Sequence, residues 1–163
     1  ESFEPKSICV HDVIQEMIPI IKQITRDSIA FRIECTNYEA HIQVDQQDFE
    51  HAMLNLLINA RDAIESTTHD NHSITISIET IERESTSTVS ISISDTGSGI
   101  PESEQDKILE PFYTTKPKGT GLGLAIAHTI IEEHQGSIKI DRHPELGGAR
   151  FRVTLPQVAV IRS

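Results

Sequence analysis

Two glycine clusters, each beside a different kind of element, carry the most specific chemistry in this sequence. The first reads Asp95-Thr96-Gly97-Ser98-Gly99-Ile100 and follows the alternating run Val89 to Ser94. The second, Gly119-Thr120-Gly121-Leu122-Gly123-Leu124, opens an apolar, helix-like run that continues through Ile131. Glycine admits positive φ and has no Cβ to hold backbone amides away from a ligand. A glycine turn feeding a helix N-terminus presents N–H donors and the positive end of the helix dipole, a setting for phosphate. A carboxylate at a strand end accepts hydrogen bonds only, which suits an exocyclic amine such as that of adenine. A carboxylate for a base and a glycine turn for phosphates together make a nucleotide site.

A third group sits on the strongest helical pattern. Asn55, Asn59 and Asp62 are spaced i, i+4, i+7 and share one stripe beside an apolar one. Asparagine is a poor residue for a helix interior, so two on one stripe ask for a reason. Their amide oxygens suit an oxygen-seeking divalent cation that bridges phosphates; the spacing alone also fits a solvated face.

Other chemistries are poorly served. No G-x-x-x-x-G-K-[ST] occurs, and Gly119-Thr-Gly121-Leu-Gly123 neither completes G-x-G-x-x-G nor follows a strand. His69 and His72 have metal-like spacing in a polar loop without a third ligand nearby. His128 and His134 read as surface or packing residues. The formal charge is −11, from 25 acidic against 14 basic residues, which disfavours a nucleic-acid partner. A polyphosphate bound to so acidic a chain needs local cations. Cys9 and Cys35 read as reduced thiols. No apolar run reaches the ~18 residues of a membrane span, and a start at Glu1 without Met suggests an excised fragment.

At 163 residues, with 37% hydrophobic and 4% aromatic residues, the chain predicts one domain with an aliphatic core. Helices are expected over Val10 to Ile24 (kinked or broken at Pro19), Gln47 to Glu65 (capped by Asp45), around Glu104 to Leu109, and over Leu122 to His134. Strands are expected at Phe31–Cys35, His41–Val44, Ile74–Ile78, Val89–Ser94, Ser137–Asp141 and Ala149–Leu155, with the third and fourth pairing antiparallel. Pro156 is expected to end the regular structure. The mixture, without βαβ alternation, predicts an α+β fold with helices on one face of a sheet.

Four segments in order resemble the N, G1, F and G2 boxes of the ATP-binding catalytic domain of sensor histidine kinases. They are Asn55-Leu-Leu-Ile-Asn59-Ala60-Arg61-Asp62-Ala63, Asp95-Thr-Gly97-Ser-Gly99-Ile, Glu110-Pro111-Phe112-Tyr113-Thr114-Thr115-Lys116 and Gly119-Thr-Gly121-Leu-Gly123-Leu. The resemblance covers roughly residues 43 to 156. It extends to a superfamily with gyrase B, a heat-shock chaperone, mismatch-repair ATPases and anti-sigma kinases. The Asn-Ala-Arg-Asp-Ala wording is similar to the nitrogen-regulator and hybrid type.

The resemblance implies the Bergerat two-layer α/β sandwich with a mixed, mostly antiparallel sheet. It implies ATP and magnesium as ligands, with Asn59 the main metal ligand and Asn55 a second. Asp95 becomes the adenine-amine acceptor, and Gly97 and Gly99 the turn that admits the base. Pro101 to Lys118 becomes a lid anchored by Phe112, with Lys116, in preference to Lys118, near the phosphates. Gly119, Gly121 and Gly123 would cradle the polyphosphate with Leu122 and Leu124 behind them; Asp62, Ile100, Thr115 and Thr120 complete the contact set.

The family transfers the γ-phosphoryl group to a histidine on a dimerisation domain, then to an aspartate of a response-regulator receiver domain. His11-Asp12 does not continue as the acceptor motif, so that histidine is expected elsewhere. Related ATPases and serine kinases place a glutamate one turn before the magnesium asparagine; Asn55 stands there and cannot accept a proton. Many members also begin the last strand Gly-Thr where this chain has Gly148-Ala149, which leaves one hydroxyl near the adenine in doubt. The alternatives are an anti-sigma-type serine kinase or other ATPase, or a degenerate binding module. Residues 1–42 would be a linker from a missing dimerisation domain with the first helix and strand, 43–156 the catalytic core, and 157–163 a tail or linker. The expected setting is cytoplasmic, with room for an inner-membrane anchor in the parent chain.

Overall fold

The computed structural model describes residues 3–113 and 122–159. Among them seven strands form one sheet: β1 (Pro5–Cys9), β2 (Ala30–Cys35), β3 (His41–Asp45), β4 (Ser73–Glu82), β5 (Ser87–Asp95), β6 (Ser137–Arg142) and β7 (Ala149–Val158). Their order is β1-β3-β7-β5-β4-β2, with β6 also on β7. Only the β2–β4 pair is parallel. Helices α1 (Val10–Thr25), α2 (Gln46–Glu65) and α3 (Gly123–Glu133) make the second layer. The mixed, mostly antiparallel two-layer sandwich is as expected. No helix of the described residues is long and apolar enough to cross a membrane.

Alternation explains the layers. Ile76, Ile93 and Phe151 lie opposite one another across β4, β5 and β7, each fully buried. Phe49, Met53, Leu56, Leu57, Ala60 and Ile64 of α2 belong to the same core. Each of the larger side chains stabilises by about 1.5–3 kcal/mol. A helix Asn costs only about 0.5 kcal/mol, so α2 easily carries two.

The Asp45 carboxylate caps α2, accepting the Asp48 N–H at 3.1 Å and the Glu4 N–H at 2.9 Å. The Glu4 bond first, then that of Asp48, holds its pKa below the ordinary carboxylate value. Its stabilising contribution is therefore complete above the unfolded-state pKa and fades as pH falls through the lower folded value. Asp45→Asn should flatten the acid limb of stability below about pH 4; urea midpoints measured against pH check this.

Several boundaries depart from expectation. β1 is an additional strand: Pro5–Cys9 has no alternation, and its pairing with Asp45 to His41 makes it extended. α1 runs through Pro19 without ending, because the proline faces solvent, where a missing N–H leaves no buried carbonyl deprived of water. The 104–109 helix is instead a short 3₁₀ turn at Glu102–Glu104 followed by hydrogen-bonded turns. Its bonds are mostly i→i+3, such as Lys107 N–H to Glu104 and Glu110 N–H to Lys107. β7 continues past Pro156 to Val158. Pro156 stands at the last β5 pairing, and Gln157 and Val158 then pair with β3, so the absent N–H falls where the ladder changes partner. Cys9 and Cys35 are free thiols.

Candidate functional site

Three elements bring the sequence-derived residues together. β5 ends at Asp95, which is fully buried. Its Oδ1 accepts the Gly97 N–H at 2.8 Å and the Ala149 N–H at 3.2 Å. Two backbone donors thus fix the carboxylate plane. Thr96 ties the same turn to β4 by exchanging bonds with Ser73, N–H to carbonyl at 3.2 Å and Ser73 N–H to Oγ1 at 3.0 Å.

Gly97 packs against the end of α2. A Cβ there would stand 2.8 Å from the Ala63 backbone and side chain, so only glycine lets the turn lie against the helix that carries the asparagines. Gly99 adopts φ +79°, where a side chain is strained. Ile100 is half-buried against the core.

Asn59 is 8% exposed on α2, and Asn55 sits one turn earlier. The Asn55 Oδ1 lies 3.8 Å from where a Gly123 Cβ would stand, so the first α3 residue faces the asparagine stripe with nothing between. The Asn55 Nδ2 is buried with no hydrogen-bond partner among the described residues. A buried amide nitrogen in that state is costly unless a ligand oxygen meets it. Among the described residues no group of three or more His, Cys, Asp or Glu gathers for a metal. The donors offered to a cation here are amide oxygens, which suit a hard ion such as magnesium that keeps much of its water. Asp62 is engaged by its neighbour: Arg61 Nη2 donates to its Oδ1 at 3.1 Å.

Leu122, Gly123 and Leu124 form the start of α3. Thr115, Lys116, Gly119, Thr120 and Gly121, with Lys118, lie outside the described residues. Phe112 is 74% exposed at φ +67°. The segment is fastened instead by Tyr113, whose hydroxyl donates to Glu104 Oε1 at 2.8 Å. That bond, more than burial, pushes the phenol pKa up.

Two contributors escaped sequence reasoning. Gly148 presses on the site's floor: a Cβ would come within 2.3 Å of the Asp95 carbonyl and Oδ1 and 2.7 Å of the Gly97 nitrogen. The comparison with Gly-Thr already set it at the start of the last strand, but its packing against the Asp95 carboxylate left no mark in the sequence. Gly148→Ala should cost about 1–3 kcal/mol by overpacking and weaken nucleotide binding as well; thermal melting and titration of the variant check both. Arg142, at the end of β6, brings Nη2 to 2.9 Å from the Gly99 Cβ position while Nη1 donates to the Gly147 carbonyl at 2.5 Å. It supplies a local cation in an acidic chain, and nothing in its sequence neighbourhood marked it. His134 is buried at the end of α3.

A family model described as histidine kinase-, DNA gyrase B- and HSP90-like ATPase matches residues 44–159. Sporulation kinase A of Bacillus subtilis (strain 168) is 40% identical over 125 residues, covering 75% of this chain and 19% of that protein. Sensor histidine kinase ZraS of Salmonella typhimurium is 34% identical over 155 residues, covering 94% of this chain and 32% of that protein. This chain therefore spans less than a third of either protein's length. The catalytic domain of histidine kinase ThkA, in a nucleotide-free form, is similar with a TM-score of 0.74 at 32% identity, covering 96% of this chain and 99% of that one.

Proposed function

The chain belongs to the family of histidine kinase-, DNA gyrase B- and HSP90-like ATPases, and from that premise we propose that it binds Mg–ATP and donates the γ-phosphoryl group to a histidine on a separate dimerisation domain of the same parent chain. The observation that carries this most is the meeting of Asn55 with the start of α3, an unpartnered amide nitrogen close to the helix end to which a phosphate would bind. The relatives are named kinases and are longer than this chain, which supports an acceptor outside it.

Each residue has a role in the transfer. Asp95, its Oδ1 fixed by two N–H donors, offers its remaining acceptor capacity to the adenine amine. Asn59, with Asn55, would hold magnesium, which when bound neutralises charge on the phosphates. The backbone donors of Gly119, Gly121 and Gly123 would cradle the polyphosphate, with Lys116 beside it. The bond from γ-phosphorus to the bridging oxygen breaks as one forms to the acceptor imidazole nitrogen, and ADP leaves. Asn55 cannot take a proton from water, which disfavours hydrolysis by the chain alone. The phosphoryl group would then pass to an aspartate of a response-regulator receiver domain. Use of ATP fits a cytoplasmic domain of a longer sensor.

Incubating the chain with γ-labelled ATP and the parent's histidine-bearing domain tests the assignment. Acid-labile, base-stable label on the added domain is expected. Release of free phosphate by the chain alone, with no labelled histidine, would overturn it in favour of a hydrolase.

A further inference from the structure

His134 stands at the C-terminal cap of α3 and is only 4% exposed. Its Nδ1 lies 2.7 Å from the Ile130 carbonyl oxygen, and its Nε2 lies 3.1 Å from the Asp45 backbone nitrogen. A backbone N–H can only donate, so Nε2 accepts and Nδ1 carries the hydrogen. The ring therefore spans from the last turn of α3 to the residue that ends β3 and caps α2. Asp45 is held from both sides: besides this bond, its two carboxylate oxygens take the N–H groups of Asp48 and Glu4. The Phe3 ring lies against the imidazole with centroids 5.1 Å apart, although Phe3 is 55% exposed. Three elements thus meet on one imidazole: the end of α3, the start of α2, and the segment leading into β1.

The opposite end of α3 is Gly123, which faces Asn55 in the middle of α2. α3 has 11 residues, a length of about 16 Å, so a tilt of about 5° at His134 displaces Gly123 by about 1.4 Å. Displacements of about 1 Å are enough to spoil a positioned phosphate.

We propose that His134 is a positioning residue of the nucleotide site: the Asp45–His134–Ile130 bridge sets how α3 presents its first residue, Gly123, to Asn55, and Phe3 on the imidazole makes the seating of the incoming segment part of that setting. The inference rests on the nucleotide reading above. Phe3 is the handle, being the member of the junction least buried by the rest of the domain. A movement of the chain ahead of β1 would reach the phosphate end through this junction, whose two ends are tied by hydrogen bonds.

Calorimetric titration with a non-hydrolysable ATP analogue and magnesium, alongside thermal melting, tests it on the unaltered chain and four variants. His134→Leu fills the space without hydrogen bonding and should weaken binding about tenfold, within the range by which residues away from a ligand modulate coupling. His134→Gln can still accept from Asp45 and donate to Ile130, and should restore binding to within about twofold of the unaltered chain. Phe3→Ala should weaken binding about threefold with little change in melting, and should have no effect in the His134→Leu background, since coupled residues are non-additive.

A His134→Leu chain that melts lower but binds as the unaltered chain does would overturn the positioning role. If His134→Leu does not fold, Phe3→Ala and His134→Gln decide: unchanged affinity for Phe3→Ala, or a tenfold loss for His134→Gln, overturns it. If the unaltered chain fails to bind the analogue, the nucleotide reading itself falls and the bridge with it. Binding by the unaltered chain with no loss in the variants sinks the bridge alone.

Discussion

Asp95→Asn is expected to weaken adenine nucleotides about a hundredfold while leaving the domain folded, since a lost bond to a charged group with an opposed donor costs about 3 kcal/mol. The asparagine oxygen can keep the place of Oδ1 and still accept from Gly97 and Ala149, so the turn beneath the base should survive. The amide nitrogen then takes the place of the other oxygen and sets a donor against the adenine amine, itself a donor. A site built around one polar partner rejects the mismatched one far more strongly than it rejects a missing methylene. Affinity for ATP and adenosine should fall together, because the change lies at the base. Equal binding of ATP by the variant would remove Asp95 from the adenine assignment; a melting temperature within a few degrees of the unaltered chain would show that loss of binding is not loss of fold.

Asn59→Ala is expected to abolish the magnesium dependence of nucleotide binding and to slow phosphoryl transfer about a thousandfold, the scale of losing a preorganised charge-stabilising group. Asn59 is nearly buried on α2, and Ala is the better helix former by several tenths of a kcal/mol. That gain offsets part of the bonding the side chain loses, so stability should change little. Titration with and without magnesium separates the outcomes: affinity independent of magnesium is expected, whereas retained dependence would put the cation elsewhere. Transfer rate should fall further than affinity, because the charge that magnesium neutralises grows as the phosphoryl group moves.

Much of this site was legible because its members are local patterns. The apolar stripe of α2 and its Asp45 cap locate Asn55 and Asn59 on one helix, and the alternation of β5 delivers Asp95 directly into the Gly97 turn. Contacts that close the site from a distance were not legible. The Ala149 N–H that fixes Asp95 comes from 54 residues away, and the pressure of Gly148 and the reach of Arg142 exist only after β6 and β7 have paired. The same physics governs the fold. β1, with Ile8 its one aliphatic residue besides Pro5, is a strand because β3 offers an edge, whereas the charged 104–109 segment has too little apolar surface to hold a helix against the core. Pro19 shows the converse: a strong local breaker yields when its unbonded carbonyl faces water and α1 buries Val13, Ile14, Met17 and Ile21.

The central claim, that Asp95, the asparagine stripe and the glycine turn make one working nucleotide site, is tested most directly by calorimetric titration of the chain with a non-hydrolysable ATP analogue. It is run with and without magnesium, and with a GTP analogue as control. Adenine-selective binding strengthened by magnesium is the predicted result. No binding, or equal binding of the guanine analogue, would contradict it.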